Sequence, residues 1–499
     1  MSVWHDTVLL VYFVLLALLS IYGAHRYVLV FLYYRHKRDN PSPVARFGEA
    51  PAVTVQLPLF NEATVVERLL ESVARIDWPR EKLEIQVLDD STDETQELAR
   101  RKVDELCARG LDVHYLRRAD RRGFKAGALA SGLEVARGDF VAIFDADFLP
   151  EPDVLRRTVD FFTDPKIGMV QVRWGHLNRD YSLLTRLQSM LLDGHFVIEH
   201  TARNRSGRHF NFNGTAGVWR RTAIVGAGGW QHDTLTEDLD LSYRAQLRGW
   251  NFVYLRDVTA PGELPVEMTA FKAQQHRWAK GSIQTGLKVL PKIWRSKLPF
   301  KVKSEATFHL TANLSYVLML AMCVLMLPAL LARLAEPDWL RSELFDLSVF
   351  ILGTTSVLSF YVVAQREIDP DWKRGLKYLP GVLGLGIGLA VNNARAVVEA
   401  LFSYETPFVR TPKYDVTDRS VGRPNRRYGS LAGLMPWVEI AFGLYMALIV
   451  WIGLQNHVWM VVVFMSIFAL GFLYVGVGSL LSGRAPRPLE PVLAPRPVN

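Results

Sequence analysis

Cysteine is scarce in this sequence: Cys107 and Cys323 are the only two among 499 residues. Two cysteines cannot build the disulfide framework that stabilises small secreted domains, and they are too few for a cysteine-rich zinc site. Cys323 also lies inside a long apolar run. Disulfide bonds and structural zinc are therefore excluded as the basis of the fold.

Charged residues are almost absent from residues 7–34 and from several long runs within residues 306–482. Residues 7–34 are nearly all apolar and residues 306–482 contain further long apolar runs, whereas residues 38–305 have the composition of a soluble enzyme. About 20 apolar residues cross a bilayer, so both apolar parts predict membrane segments, the first of them a retained anchor. We predict four parts, namely a transmembrane helix, a catalytic domain, a membrane region that forms a channel and a disordered tail, at residues 1–37, 38–305, 306–482 and 483–499.

The basic residues behind the net charge of +8 crowd the flanks of the apolar runs. They include the cluster Arg35–Arg38 and the loop Arg410–Arg427. Lys and Arg accumulate in the cytoplasmic loops of membrane proteins, which explains this pattern better than nucleic-acid binding does. We therefore expect no nucleic-acid partner, a multi-pass protein of the plasma (inner) membrane, and a catalytic domain that faces the cytoplasm.

The apolar runs and their charged flanks agree with five membrane spans. One further apolar stretch, 376–402, is rich in glycine, is interrupted by polar and charged residues and has basic flanks on both sides. A crossing there would put the Arg-rich loop outside, so we predict an interfacial or re-entrant segment, with a true span as the alternative. The five spans are predicted at about residues 7–33, 307–334, 345–364, 434–454 and 457–481.

Strand-like and helix-like patterns alternate in the first half of the soluble part. This alternation predicts an α/β domain with a mostly parallel sheet, and ligands bind at the carboxyl ends of the strands in such sheets. The predicted strands are Val53–Phe60, Glu84–Leu88, Val113–Leu116 and Phe140–Phe144. The predicted helices between them cover residues 63–75, 93–109 and 126–136.

Acidic residues follow two of these strands directly. Asp89 and Asp90 end the second strand, and Asp145 and Asp147 follow the fourth with one residue between them. Two carboxylates that close repel each other unless a cation lies between them, and a hard divalent ion that carries a diphosphate fits this pattern. We predict a Mg²⁺ or Mn²⁺ site at Asp145 and Asp147. Asp93, in contrast, is expected to be a helix cap.

A third acidic motif, Thr236-Glu237-Asp238, opens a predicted helix. Threonine followed by acids is typical of a helix start, where it satisfies backbone N–H groups. The same carboxylates can also serve as a general base that takes a proton from an attacking hydroxyl. Both interpretations stay open on the sequence alone.

The last polar motif runs from Gln274 to Trp278 and reads Gln-Gln-His-Arg-Trp. Arg277 can bind a diphosphate with two parallel hydrogen bonds, and Trp278 offers a flat ring on which a sugar can stack. In isolation, the motif is equally typical of an amphipathic helix with an interfacial tryptophan.

The order and content of these motifs resemble the processive family-2 glycosyltransferases, which include cellulose, hyaluronan and plant mannan and glucomannan synthases. The resemblance covers about residues 50–290. The sequences of Gln86–Asp93, Phe212–Trp219 and Gln274–Trp278 are most similar to the mannan and glucomannan branch. The resemblance implies a GT-A-like α/β domain inserted between transmembrane helices.

The resemblance also implies roles for individual residues. In the family, Asp238 is the base, and Glu237 and Thr236 belong to the same motif. Residues expected to bind the nucleotide sugar are Phe60, Glu62, Asp89 or Asp90, Lys125, Asp145 and Arg277. Residues expected at the acceptor and channel mouth are Trp278, Gln274, Asn213, Gly214 and Thr215.

Two segments depart from the family pattern. Asn213-Gly214-Thr215 stands where cellulose synthases have Cys-Gly-Ser, which leaves the acceptor and donor sugars open. Phe408, Thr411 and Lys413, within a loop at 405–430, resemble the gating loop of cellulose synthases with one valine displaced. Such a loop closes over the nucleotide diphosphate, whereas a plain solvated basic loop is the alternative.

The expected function is inverting polymerisation of hexose from UDP-glucose or GDP-mannose into a β-linked polysaccharide, of β-1,4 glucan or mannan type, with translocation across the membrane. Its expected partners are the donor, the growing chain, the bilayer and accessory export subunits. A first alternative is the transfer of one sugar to a membrane lipid. A second, a transporter with a nucleotide-binding domain, is disfavoured because no repeated membrane halves occur in the sequence.

Overall fold

The structure, a computed structural model, describes residues 3–335, 339–404, 410–417 and 433–482, with backbone alone at residues 3 and 339–350. Phe408, most of the predicted loop at 405–430 and the predicted tail at 483–499 lie outside the described residues. The first element is one long helix, α1 (Val3–His36), whose apolar sequence matches the predicted N-terminal span.

A seven-stranded sheet forms the centre of the soluble part. Its spatial order is β3-β2-β1-β4-β6-β5-β7. The strands are β1 (Val53–Leu59), β2 (Leu83–Asp89), β3 (Asp112–Leu116), β4 (Phe140–Ile143), β5 (Ile167–His176), β6 (Gly217–Arg220) and β7 (Asn251–Gly262). The four predicted strands are present with ends within one residue of expectation.

Strand β6 is antiparallel to both of its neighbours, while all other pairs in the sheet are parallel. The sheet is therefore mixed but mostly parallel, which confirms the predicted fold class. Because β6 runs the other way, its amino end lies at the edge where the other strands have their carboxyl ends. The segment before β6 thereby joins the loops after the parallel strands at a single edge.

Helices cover both faces of the sheet. Side chains on a strand alternate between its faces, so Ala142 of β4 packs with one layer of helices, and Val141 and Ile143 pack with the other. The helices of this part are α2 (Val66–Val73), α3 (Thr95–Ala108), α4 (Phe124–Val135), α5 (Val154–Thr158), α6 (Leu183–Asp193), α7 (Thr201–Arg205), α8 (Arg221–Gly226), α9 (Glu237–Leu247) and α10 (Met268–Arg295). A π-helix, Gly194–His200, joins α6 to α7.

The helices after α10 form the second membrane part, against which α1 packs. They are α11 (Phe300–Thr311), α12 (Leu314–Leu334), α13 (Trp339–Ile368), α14 (Trp372–Gly375), α15 (Leu379–Gly388), α16 (Ala390–Leu401), α17 (Met435–Gln455) and α18 (Trp459–Ser482). Helix α1 packs against α12 and α13, and α17 and α18 form a hairpin that also contacts α15. Helix α10 of the catalytic domain lies along α16, so the two parts share an interface.

Five described helical segments are long and apolar enough to cross a membrane. They are Trp4–His36, Leu314–Leu334, Trp372–Leu401, Met435–Gln455 and Trp459–Ser482. The number agrees with the sequence prediction, but one member differs. The predicted span at 345–364 lies within α13, part of which is described by backbone alone, and the segment Trp372–Leu401 takes its place in the set.

The segment Trp372–Leu401 differs from the other four because it is broken and enclosed. It is divided among α14, a 3₁₀ turn, α15 and α16, and 67% of its most apolar window is buried inside the protein, against 11–39% for the others. A helix that is buried on most sides is apolar on all faces because it packs inside the protein, so its apolar sequence does not by itself indicate contact with lipid. The interfacial or re-entrant interpretation of residues 376–402 stays a prediction.

Candidate active site

The loops that carry the predicted motifs meet at the carboxyl edge of the sheet. Parallel strands end at the same edge, which brings together the segments after β1, β2, β4, β5 and β7 and the segment before β6. They surround a cavity of about 220 Å³, which the first turn of α9 and the middle of α10 also line. The cavity thus lies where ligands bind in open α/β sheets.

Asp145 and Asp147 both line this cavity, and each is paired with a lysine. The Nζ of Lys125 donates to Asp145 Oδ1 at 2.5 Å, and the Nζ of Lys413 donates to Asp147 Oδ2 at 2.6 Å. The hydroxyl of Thr215 accepts from the backbone N–H of Asp145 at 2.8 Å, which holds the backbone that carries the first carboxylate. Residues predicted from separate motifs are therefore in direct contact.

The two carboxylates fit a divalent cation that also carries substrate phosphates. Among the described residues no cluster of three or more His, Cys, Asp or Glu side chains forms a closed metal cage. Mg²⁺ is typically bound by one or two carboxylates, with phosphate and water oxygens in its remaining positions. Asp145 and Asp147 supply oxygen ligands of this kind at the cavity wall.

Asp238 stands on the first turn of α9 and faces Gly214. A Cβ at Gly214 would lie 3.0 Å from Asp238 Oδ2 and 3.4 Å from Lys125 Nζ, and the backbone there has φ of +81°. The positive φ favours glycine, and a Cβ would crowd the Asp238 carboxylate. Burial and the adjacent Glu237 carboxylate raise the pKa of Asp238 to about 7. A carboxylate with this pKa is suited to accept a proton near neutral pH.

The other two residues of the motif have different surroundings. Burial raises the pKa of Glu237, which also lines the cavity. The side chain of Thr236 packs against α10, where a Cβ at Gly281 would lie within 2.6 Å of its hydroxyl oxygen. Its hydroxyl lies 3.3 Å from that of Thr285. Thr236 thus fixes α9 on α10, while the two carboxylates face the cavity.

Lys125 contacts both Asp145 and the segment before β6. Its Nζ also donates to the carbonyl oxygen of Gly214 at 2.8 Å. Burial opposes the charge on Lys125, but the Asp145 carboxylate raises its pKa overall. The side chain therefore stays an ammonium, next to the position where a diphosphate would bind Asp145.

Phe60 and Glu62, which are expected to contact the nucleoside, line one part of the cavity. The guanidinium carbon of Arg121 lies 3.2 Å from the centre of the Phe60 ring, a cation–π contact. Arg410 donates to both carboxylate oxygens of Glu62, at 3.0 and 2.6 Å. Burial raises the pKa of Glu62 to about 7, although Arg410 opposes the change.

The structure separates the two candidates Asp89 and Asp90. Asp89 is 1% exposed, and its oxygens already accept from the Ser91 backbone N–H at 2.8 Å and the Tyr115 hydroxyl at 2.6 Å. Asp90 lines the cavity and is paired with Arg118. Asp90 is therefore the carboxylate within reach of a ligand. The N-cap of α3 is Glu94 and not Asp93 as expected, but Asp93, one residue earlier, accepts from the Thr95 backbone N–H at 3.0 Å and so still binds the first N–H of the helix.

The motif on α10 contributes three side chains to the cavity wall, Gln274, Arg277 and Trp278. Arg277 donates to the Thr411 hydroxyl at 2.9 Å. The ring of Trp278 lies 6.3 Å from that of Trp174, which belongs to the last part of β5. Two tryptophans at one end of the cavity are a surface suited to sugar rings.

Residues 410–417 lie across the mouth of the cavity. Lys413 donates to Asp147 and to the Glu263 carbonyl oxygen, the latter at 3.2 Å. The backbone N–H of Tyr414 donates to Glu263 Oε1 at 2.8 Å. The structure thus brings Thr411 and Lys413 of the predicted loop to the site, while Phe408 lies outside the described residues.

Several cavity residues were not among the predicted ones. Arg121, Trp174, His176 and Glu263 line the cavity and lie outside any recognisable motif in the sequence, as does Arg118, which pairs with the cavity residue Asp90. Arg410 was assigned only to the basic loop pattern, although it pairs with Glu62. Position next to a strand end is the one sequence signal that could have indicated Trp174, His176 and Glu263.

Comparison with known proteins agrees with this geometry. The family described as "Glycosyltransferase like family 2" matches residues 51–281. Glucomannan 4-beta-mannosyltransferase 1 of Oryza sativa subsp. japonica is 42% identical over 303 residues, which are 58% of this chain and 58% of that protein. Glucomannan 4-beta-mannosyltransferase 2 of Arabidopsis thaliana is 45% identical over 252 residues, or 50% and 47%.

The chain therefore spans about half the length of these two relatives. A third, glucomannan 4-beta-mannosyltransferase 7 of Arabidopsis thaliana, is 33% identical over 448 residues, which are 85% of this chain and 77% of that protein. Among solved structures, mannosyltransferase PcManGT from Pyrobaculum calidifontis, in complex with GDP-Man and Mn²⁺, superposes with a TM-score of 0.52 at 23% identity. The superposition covers 78% of this chain and all of that one, and supports the GT-A-like fold. The chain belongs to the family-2 glycosyltransferases, together with these glucomannan 4-beta-mannosyltransferases.

Proposed function

We propose that this protein is an inverting hexosyltransferase that polymerises mannose from GDP-mannose into a β-1,4-linked polysaccharide. The observation that carries the proposal is the contact between three separate motifs in one cavity. Lys125 donates to Asp145 and to the Gly214 carbonyl, and Gly214 lies against both Lys125 and Asp238. We assign Asp238 as the base, Lys125 as an ammonium that faces the diphosphate, and Asp145 with Asp147 as the carboxylate pair of one reacting centre.

The chemistry is a single displacement. Asp238 takes the proton from an acceptor hydroxyl, whose oxygen attacks the anomeric carbon as the bond to the diphosphate breaks. Lys125 and Arg277 stabilise the negative charge that develops on the departing diphosphate. A divalent ion held by Asp145 and Asp147 supplies further charge neutralisation when bound. Because attack comes from the face opposite the leaving group, an α-linked donor yields a β-linked product.

GDP-mannose is the preferred donor because the relatives are named mannosyltransferases and the structural neighbour was solved with GDP-Man and Mn²⁺. UDP-glucose is the second candidate, since a glucomannan contains both sugars. The deciding experiment offers both donors to the purified protein with Mn²⁺ or Mg²⁺ and measures polymer formed. Polymer from GDP-mannose supports the proposal. Polymer formed from UDP-glucose alone would show that the donor sugar is glucose and not mannose. No transfer from either donor would refute the proposed function.

A polymer product is favoured over transfer of one sugar to a lipid. The cavity continues from the donor end to Trp278 and Trp174, where an elongated chain has aromatic rings to stack on. Gel separation of the product, with digestion by a β-1,4-mannanase or a β-1,4-glucanase, tests this choice. A single sugar attached to lipid would contradict polymerisation and leave glycosyl transfer intact.

The membrane helices suit a role in export. We propose that the catalytic domain faces the cytoplasm at the plasma (inner) membrane, where nucleotide sugars are present, and that the polymer leaves through the helices, with or without accessory export subunits. A purified protein in proteoliposomes that forms polymer protected from external mannanase would support translocation. Metal-dependent release of GDP separates this proposal from a transporter, which consumes no donor.

A further inference from the structure

Asn213 is held by two histidines that no predicted role includes. Its Oδ1 lies 2.5 Å from His200 Nε2, and its Nδ2 lies 3.2 Å from His195 Nε2. His195 Nδ1 lies 3.0 Å from the Glu199 carboxylate. The two imidazole rings are 4.3 Å apart between centroids. Both polar atoms of the Asn213 carboxamide therefore hydrogen-bond with this pair of histidines.

The local backbone explains how both histidines reach the same amide. His195 and His200 are five residues apart and lie on the π-helix Gly194–His200. In an α-helix, with 3.6 residues per turn, residues five apart point in clearly different directions. The i→i+5 pattern of a π-helix is wider and brings such residues onto one face, and π-helical turns occur frequently at functional sites.

The contacts agree with a single arrangement of hydrogens. Glu199 is an acceptor, so His195 donates from Nδ1 and accepts from the Asn213 N–H at Nε2. The Asn213 oxygen then accepts from His200 Nε2, and His200 Nδ1 carries no hydrogen and has no hydrogen-bond partner among the described residues. Burial holds the pKa of His200 well below its usual range, so the ring is neutral. In this arrangement one ring donates to the amide oxygen and the other accepts from the amide nitrogen, which fixes which way the amide points.

The orientation of Asn213 matters because the next two residues contact groups of the proposed reaction. Gly214 offers its carbonyl to Lys125 and lies against Asp238, and Thr215 accepts from the backbone N–H of Asp145. Three groups of the proposed reaction thus take their positions from residues 213–215. The backbone N–H of Asn213 is also fixed, since it donates to the Gln171 side chain at 3.1 Å.

We propose that His195 and His200 are positioning residues for sugar transfer, which orient the Asn213 carboxamide and thereby hold residues 213–215 against Lys125, Asp145 and Asp238. This inference rests on the proposed function for its kinetic consequence. Neither histidine touches the reacting atoms. The pair matches Asn213, because a carboxamide offers a donor and an acceptor on two separate atoms, one for each ring.

The test compares His200→Leu with His200→Gln in the full-length protein. Leucine removes the N–H donor, whereas glutamine keeps one. We expect His200→Leu to lower kcat about 10- to 100-fold, because small displacements of positioned groups have effects of this size. The KM for donor and the Kd for GDP should stay near wild type, and His200→Gln should recover most of kcat.

A matched control is available in His309, which is equally enclosed and lies near His195 and His200, but whose hydrogen bond, at 2.8 Å, joins the Tyr243 hydroxyl and not Asn213. His309→Leu tests whether removal of any buried imidazole slows transfer. We expect its folded fraction to have wild-type kcat. An equal loss of kcat in His309→Leu, or wild-type kcat in folded His200→Leu, would overturn the positioning role.

Hydrogen–deuterium exchange gives a readout that does not depend on activity. Backbone exchange in residues 211–217 should rise in His200→Leu and stay at the wild-type level in His309→Leu. If His200→Leu does not fold, His195→Leu, at a half-buried position, replaces it in both measurements. Unchanged exchange would overturn the inference. Failure of the wild-type protein to transfer any sugar would instead refute the proposed function, and the exchange data would still decide the role of the histidines.

Discussion

At the scale of single residues, the site depends on charges that are held close together and away from bulk water. Burial and the like charges of Glu237 and Asp145 raise the pKa of Asp238, while Lys125 and the Leu239 backbone N–H oppose them. The proposed reaction uses this environment directly, because a base must be unprotonated in the resting enzyme and able to take a proton during transfer.

The first prediction concerns the base itself. Asp238→Asn keeps the size of the side chain and removes its ability to accept a proton. We expect kcat to fall about 10²- to 10⁴-fold, the range of general-base catalysis, while GDP still binds. Isothermal titration with GDP and a transfer assay on the same preparation measure both quantities. Near wild-type elongation by the variant would show that another group is the base.

The second prediction concerns pH. A raised carboxyl pKa means that Asp238 is protonated below about pH 7 and is an effective base only above it. At saturating donor, kcat should rise about tenfold per pH unit below this value and level off above it. Because Asp238 and Glu237 interact, the step belongs to the pair. A profile that is flat between about pH 5 and 9 would contradict the assignment.

At the scale of elements, residues 410–417 connect the membrane part to the donor cavity. Arg410 and Lys413 neutralise Glu62 and Asp147, and Thr411 accepts from Arg277. This segment therefore occupies the acidic groups that a metal and a nucleotide are expected to need. Ligand binding and the position of the segment should be linked, as in loops that close over substrates.

The third prediction is that Lys413 and a divalent ion compete for the Asp147 carboxylate. Lys413→Ala removes the ammonium that lies 2.6 Å from Asp147, so a divalent ion meets an uncompensated carboxylate. We expect the ligand-free variant to bind Mn²⁺ several-fold more tightly, since charge pairs of this kind contribute about 1 kcal/mol. Paramagnetic titration of Mn²⁺ measures the affinity. Lys82→Ala, which removes a surface pair with Glu49, is the control and should leave it unchanged. Weaker Mn²⁺ binding by Lys413→Ala would contradict the competition.

At the scale of the whole molecule, a chain of buried ion pairs joins the first membrane helix to the catalytic domain. Glu305 of α11 lies 3.0 Å from His25 of α1 and 2.9 Å from Arg203 of α7. Arg203 also pairs with Glu199 on the π-helix at 3.0 Å. Burial alone would raise the pKa of Glu305, but its partners hold the pKa at about 2.

The fourth prediction is that this connection stabilises the protein. Glu305→Gln leaves Arg203 partly uncompensated, and removal of one partner from a buried pair costs about 3–5 kcal/mol. The pKa of Glu305 lies below its unfolded value of about 4.3, so its contribution is present above that pH and is lost as the pH falls toward about 2. Thermal unfolding in detergent should give a lower Tm for Glu305→Gln at about pH 7 and a smaller difference near about pH 3.

The matched control for this prediction is Glu67→Gln, because Glu67 and its partner Arg101 are both more than half exposed. Exposed pairs contribute at most about 1 kcal/mol. A Tm change in Glu305→Gln no larger than that in Glu67→Gln would show that the buried chain does not stabilise the assembly of the two parts.

Much of this molecule could be predicted from local patterns in the sequence. Apolar runs of about 20 residues predict membrane helices, and the alternation of strands and helices predicts the parallel part of the sheet. The acids Asp145, Asp147 and Asp238 were identifiable because strand ends and helix starts are local features. The choice between Asp89 and Asp90 was not, since it depends on which side chain the Tyr115 hydroxyl happens to meet across the sheet.

The sequence by itself determined the fold class, the membrane character and the catalytic motifs, because hydrophobic periodicity and motif spacing are properties of short segments. The tertiary structure alone decided the antiparallel place of β6, the pairing of Arg410 with Glu62, and the engagement of Asn213 by His195 and His200. These features join residues from distant parts of the chain, or, for the histidines, depend on an irregular helical turn. Their geometry exists only after the sheet, the π-helix and the membrane helices have packed together.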